Sequence, residues 1–156
     1  METSTFLTFL IGKEYFAVNV VKVLEVLQHQ NITLIPKTPE HILGIINFRG
    51  EIIPVVDTRK KINIASDEEE GKIVIVFEID HGETKTKIAA TADSVKDVIE
   101  ITENEIKPVP EMGIKYNANF LGGAIRRDEK FILLLTIEKV FSIADLSEIT
   151  QLEATI

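Results

Sequence analysis

Three histidines, His29, His41 and His81, are the first side chains to weigh for metal or acid–base chemistry, and each stands alone. None has a histidine three or four residues away, the spacing that sets two ligands on one helical face, and the chain has no cysteine. Thiolate metal sites, disulfides and a cysteine nucleophile are therefore excluded. The histidines read as exposed side chains among turn and polar residues. Glu51 and Asp57 flank one extended run, and at ~3.3 Å per residue they lie about 20 Å apart. A glycosidase-type carboxylate pair needs roughly 5–9.5 Å. Asp67, Glu68, Glu69 and Glu70 lack the alternating ligands of a calcium loop and read as a solvated loop. Gly122-Gly123 is the only glycine pair, with no Lys-Ser/Thr after it, and no Gly-x-Ser-x-Gly occurs. The expectation is a protein that is not an enzyme and needs no metal or cofactor.

The charge balance narrows the partners. Seventeen Lys and Arg against 25 Asp and Glu give a formal net charge of -8. Binding nucleic acid through its phosphates requires a basic face, and an anionic membrane surface requires the same. The longest basic cluster, Arg59-Lys60-Lys61, has Asp57 beside it. The start of the chain, METSTFLTFL, lacks the positive region of a secretory leader. No apolar run approaches the ~18–20 residues of a membrane span. The expectations are no nucleic acid, no direct membrane insertion and a cytoplasmic location.

The elements that would position any site are mostly strands. A chain of 156 residues suits one domain. Residues 7–11 and 15–18 flank a Gly12-Lys13 turn. Val20, Val23, Leu24 and Leu27 fall at i, i+3, i+4 and i+7, which predicts a helix over 20–27, although their β-branching weakens it. Residues 42–48 and 52–56 are strands around Arg49-Gly50-Glu51, and Pro54, lacking a donor, predicts an edge or a bulge. Residues 58–61 form one helical turn. Residues 73–79 are apolar on both faces, a strand covered on both sides. Residues 85–91 pair back, and 95–101 follow. Thr102 and Glu105 have capping-box spacing for a short helix. A second hairpin joins 120–125 to 131–137, and 137–146 predict a final helix, with a flexible tail at 147–156. Nine or ten short strands with regular turns indicate barrels or a sandwich.

The run Ile42-Leu43-Gly44-Ile45-Ile46-Asn47-Phe48-Arg49-Gly50-Glu51-Ile52-Ile53-Pro54-Val55-Val56-Asp57-Thr58-Arg59 resembles the signature of the CheW-type chemotaxis coupling proteins. Lys22–Val26, Ala92–Ile101, and the pair Phe120–Ala124 with Phe131–Val140 resemble further elements of the family in the same order. The resemblance covers residues 5–145. Phe48 and Thr58 stand where Leu is usual, and Ala92 where Val is usual. The family implies an all-β fold with short helices: two packed five-stranded SH3-like β-barrels sharing an apolar layer. The boundary between halves is expected near residues 66–71. It implies a non-catalytic adaptor coupling the cytoplasmic tips of chemoreceptors to the regulatory domain of the histidine kinase CheA. Other CheW copies are a further implied partner, in receptor arrays at the membrane. A chemosensory-like pathway for gliding or pili, or a small ligand bound between the barrels, are the rival readings.

By motif match, Val23, Glu25, Gly44, Asn47, Phe48, Arg49 and Gly50 form the expected partner-binding set. Their types have a physical reading. Gly44 and Gly50 allow close backbone approach or a turn, and Asn47 can bond turn backbone. Arg49 offers a planar fork to a carboxylate, either a partner's or one within the chain. Val23 and Phe48 are either core or the lining of an exposed groove.

Overall fold

The computed structural model describes residues 2–28, 32–35, 41–62, 73–109 and 120–141. Ten strands and two short helices are present among them: β1 (Thr3–Ile11), β2 (Glu14–Asn19), β3 (Val23–Gln28), β4 (Ile42–Phe48), β5 (Glu51–Val56), α1 (Thr58–Ile62), β6 (Ile73–His81), β7 (Thr84–Ala92), β8 (Ser94–Thr102), β9 (Leu121–Arg127), β10 (Lys130–Leu135) and α2 (Ile137–Val140). They form two five-stranded sheets, in the orders β8-β1-β2-β10-β9 and β3-β6-β7-β5-β4. The first draws on both ends of the chain, the second on an unbroken middle stretch. They are called here the terminal and the inserted barrel.

This division differs from the boundary expected near 66–71. Those residues lie outside the described set, but β3–β5 before them and β6–β7 after them share one sheet. The chain changes barrel between β2 and β3 and again between β7 and β8. The expected tail at 147–156, the later part of the predicted final helix and the acidic stretch 67–70 also lie outside the described residues.

Three apolar clusters account for the arrangement. Ile46, Phe48, Ile53, Val55, Val74, Val76 and Ala89 fill the inserted barrel. Ala17, Ile101, Ile125, Ile132 and Leu134 fill the terminal barrel. The third and largest takes residues from both, among them Phe9, Phe16, Val18, Ile75, Phe77, Ile88, Leu133 and Phe141. Side chains alternate across a strand, so Val74 and Val76 enter one core while Ile73, Ile75, Phe77 and Ile79 enter the shared layer. That is why 73–79 is apolar on both faces. β10 does the same, with Ile132 and Leu134 on one side and Leu133 and Leu135 on the other.

The predicted helix over 20–27 is a strand. Only Val20–Lys22 make a helical turn, of the 3-10 kind, with Asn19 Oδ1 accepting the Val21 N–H at 3.0 Å. Val23 then pairs with Phe77, Glu25 with Val76 and Val26 with Ile75, so Leu24 is bulged out. A bulge inserts one residue. It therefore puts Val23 and Val26 on the same face, and an i, i+3 spacing that looks helical is a strand with a bulge. Of the edge or bulge expected at Pro54, the edge is not found, since β5 lies between β4 and β7, but the β4–β5 register shifts between Ile42 and Gly44, beside the Ile45–Pro54 pair. Pro54 is accommodated because the ladder to β7 pairs Val55 with Ala89 and Val56 with Ala90, beginning after the proline.

Charged groups secure the margins. Arg127 donates to both oxygens of Glu105, at 2.9 and 3.0 Å, and the Thr102 N–H donates to Glu105 Oε1 at 3.0 Å. The expected Thr102/Glu105 cap thus closes a single 3-10 turn. The Thr102 backbone N–H and the Arg127 guanidinium hold the Glu105 carboxyl below its ordinary range. Glu138 at the start of α2 meets Lys22 at 3.0 Å, across the two barrels. Burial pushes the Glu138 carboxyl up, but its own backbone N–H and Lys22 outweigh that and its pKa is lowered.

Two measurements follow from this architecture. Ile75 and Leu133 are 1% and 8% exposed in the shared layer, and replacing either by Ala is expected to cost about 2–5 kcal/mol of unfolding free energy in urea titration. Both carboxyls with lowered pKa bind fewer protons folded than unfolded, so stability is expected to hold above the ordinary value of 4.5 and to fall as the pH drops below it. Melting curves from pH 6 to about 3 are expected to show this loss, shallower in Glu105→Gln.

Candidate interaction site

The β4–β5 connection is the shortest hairpin type. Phe48 pairs with Glu51 across two residues, Arg49 and Gly50, with φ of 51° and 85°. Two successive positive φ values define a type I′ turn, whose twist matches that of the strands. Asn47 Oδ1 accepts the Gly50 N–H at 3.0 Å. Gly50 is needed for its φ, since a Cβ there would meet nothing within 4 Å. Arg49 takes the left-handed conformation without being glycine, which is uncommon.

The turn places Arg49 at a seam. β3 and β4 are the two edges of the inserted barrel, and Arg49 Nη2 donates to Glu25 Oε1 of β3 at 3.1 Å. The guanidinium carbon lies 4.8 Å from the centroid of the Phe48 ring. A second link closes the seam nearby: Thr33 and Ile45 exchange backbone N–H···O bonds of 2.9 Å each way. Gly44 makes that approach possible, because a Cβ on it would lie 2.2 Å from the Thr33 carbonyl oxygen.

The seven expected residues therefore separate by role. Glu25 and Arg49 present charge to solvent, with side chains 38% and 67% exposed. Asn47 and Gly50 shape the turn and Gly44 admits the neighbouring backbone. Phe48 is buried and contributes to the barrel core. Val23 packs against the shared layer, on the face opposite Glu25. Glu51, two residues after Arg49, binds Lys87 at 2.9 Å, and Asp57 Oδ1 accepts the Arg59 N–H at 3.1 Å at the head of α1. Leu24 and Ile52, 38% and 46% exposed, were not singled out from sequence. Leu24 is exposed by the bulge, which leaves no mark in the apolar pattern. Ile52 stands beside the turn in a continuous apolar run, and only its place at the strand's start distinguishes it.

The rest of the signature is structural. Arg59 pairs with Asp93, which also accepts the Gly12 N–H, so α1, the β7–β8 junction and the β1–β2 turn meet on one carboxylate. The Thr58 hydroxyl donates to the Thr91 carbonyl at 2.6 Å. Two sequence segments that looked like separate family elements are thus one tie between the barrels. The cavity in the shared layer, lined by Phe9, Ile75 and Phe141, holds about 10 Å³, room for a water at most. It offers no site for a small ligand. His41, expected to be exposed, is half-buried with its Nε2 shielded. No described helix is long and apolar enough to cross a membrane.

Two five-stranded barrels packed across one apolar layer define the class of fold. The chain belongs to the CheW-like family, whose domain model matches residues 5–145. It is 31% identical to the chemotaxis protein CheW of Klebsiella aerogenes over 88% of this chain and 81% of that one. With the CheW of Thermotoga maritima it shares 32% over 86% and 85%. The crystal structure of the scaffolding protein TtCheW from Thermoanaerobacter tengcongensis matches with a TM-score of 0.79 at 32% identity, over 93% of this chain and 92% of that one. The chain is a non-catalytic scaffold of chemotaxis signalling.

The two signature glycines separate by mechanism. Gly44→Ala drives a methyl into the Thr33 backbone and is expected to cost at least about 1–3 kcal/mol. Gly50→Ala has free space and carries only the cost of positive φ, about 1–2 kcal/mol. Paired denaturant titrations check the order, with Gly44→Ala the more damaging.

Proposed function

We propose that the chain couples the cytoplasmic tips of chemoreceptors to the regulatory domain of CheA, and that the Glu25–Arg49 seam is one of its contact surfaces. The observation that carries this is an arginine two-thirds exposed yet held in place by a turn, a ring and a carboxylate. A charge fixed before binding loses little conformational freedom on contact. Leu24 and Ile52 add apolar surface close to the charges in sequence and strand position. The protein would work at the cytoplasmic face of membrane-associated receptor arrays, touching receptors, CheA and other copies of its family.

The test is a charge reversal. Arg49→Glu places two carboxylates together and offers a like charge to an acidic partner group. Assembly with receptor cytoplasmic fragments and CheA, measured by co-sedimentation, is expected to weaken at least about tenfold, or 1.4 kcal/mol. Melting is expected to change far less, because an exposed ion pair contributes about 0–1 kcal/mol. The double variant Glu25→Arg, Arg49→Glu restores the internal pair with opposite polarity. Assembly that stays weak there supports direct recognition of Arg49. Full recovery shows that only the seam matters and rejects the contact.

A further inference from the structure

We infer that Phe48 is a positioning residue for the scaffold's partner contact: its buried ring is a platform that holds the Arg49 guanidinium against Glu25. This rests on the proposed role of the seam. Phe48 is 4% exposed, too little to touch a partner itself. One strand neighbour away, Arg49 lies with its guanidinium carbon 4.8 Å above the ring centroid while Nη2 reaches Glu25 at 3.1 Å.

The geometry makes the two contacts complementary. A single hydrogen bond to Glu25 leaves the guanidinium free to pivot about the N···O line. A ring beneath the guanidinium carbon restrains that freedom, because the cation is attracted to the negative face of the ring. The ring in turn is anchored by the inserted barrel's core, among Ile46, Ile53 and Val76. The type I′ turn fixes the distance between them by holding both φ angles of the loop positive. The rigid barrel interior is thereby transmitted to one exposed charge. An aliphatic side chain at 48 would fill the core but offer no quadrupole.

Elsewhere the cations stacked on rings serve other geometry. Lys130 stacks on Tyr15 and also donates to its hydroxyl at 3.1 Å, and Arg126 lies over Phe131, which is 58% exposed. At Phe48 the ring is buried and the cation exposed, the combination that aims a charge outward.

The experiment is a cycle of Phe48→Leu, Arg49→Met and the double variant, with two readouts. In the free protein, NMR of the Arg49 side chain reports ring-current shifts and guanidinium motion. In assembly with the CheA regulatory domain and a receptor cytoplasmic fragment, co-sedimentation reports affinity. Phe48→Leu is expected to abolish the ring-current shift and to weaken assembly about two- to fivefold. In the Arg49→Met background it is expected to have no further effect on assembly. An unchanged Arg49 spectrum in Phe48→Leu, or an equal loss of assembly in both backgrounds, overturns the inference, since Phe48 would then act only as core. If Arg49→Met alone leaves assembly unchanged, the seam is not a contact, and that outcome overturns the proposed function as well as any role of Phe48 in it. A Phe48→Leu variant that fails to fold is replaced by Phe48→Met, which keeps more of the volume and equally lacks the ring.

Discussion

The constraint on which the structure depends is that two sheets share one apolar layer. Each barrel is too small to bury both of its faces alone, and the layer between them supplies the second buried face for β2, β5, β6, β7 and β10. Burial of apolar surface is the dominant favourable contribution to folding. It is therefore this layer, and not the hairpins separately, that fixes where each strand lies. It also explains the ties at its margin: Arg59 to Asp93, Thr58 to Thr91 and Lys22 to Glu138 all join elements whose apolar sides meet below them.

The two barrels follow one plan. In each, an edge strand (β3 or β8) leads through a bridged segment to a hairpin (β4–β5 or β9–β10), a short helix follows, and a parallel pair joins the hairpin to the remaining strands (β5–β7 or β10–β2). Even the bridges correspond, Thr33 to Ile45 and Lys107 to Ala124. So do the crowded glycines, Gly44 and Gly123, and the positive-φ turns, Arg49-Gly50 and Asp128-Glu129. The seams are where the plan diverges. Arg127 of the terminal barrel donates to both Glu105 oxygens and to the Glu100 carbonyl. Arg49 pairs with Glu25 through Nη2 and faces solvent. Arg127 stands at the strand end that Phe48 holds in the inserted barrel, one residue before the turn, so the clamp of one barrel and the exposed charge of the other come from neighbouring positions of the same hairpin.

Much of this was legible in the sequence. The hairpin around Arg49-Gly50, the strand apolar on both faces and the turn at Thr102–Glu105 follow from local chemistry and appear where expected. The resemblance to the CheW-type proteins supplied the paired barrels, which no local pattern specifies. Three features were not legible. The bulge at Leu24 gave a strand the spacing of a helix. The interleaving of chain ends depends on parallel pairing between β2 and β10, strands more than 100 residues apart in number, which leaves no periodic trace. The Glu25–Arg49 pair was seen as two separate residues, because 24 positions of sequence separate them and only closure of the barrel brings them together.

The insertion of one barrel within the other also sets an order of events on the ribosome. β1 and β2 emerge first, but their sheet lacks β8, β9 and β10 until the last part of the described chain has been made. The inserted barrel, complete at Ala92, has all five strands while its neighbour has two. Synthesis proceeds at about 5–20 residues per second, so for several seconds the nascent chain holds a whole barrel with its outer apolar face covered only by a single hairpin. That interval is when Ile73, Ile75, Phe77 and Ile88 are most open to wrong partners, and it ends only when β10 slides in parallel to β2.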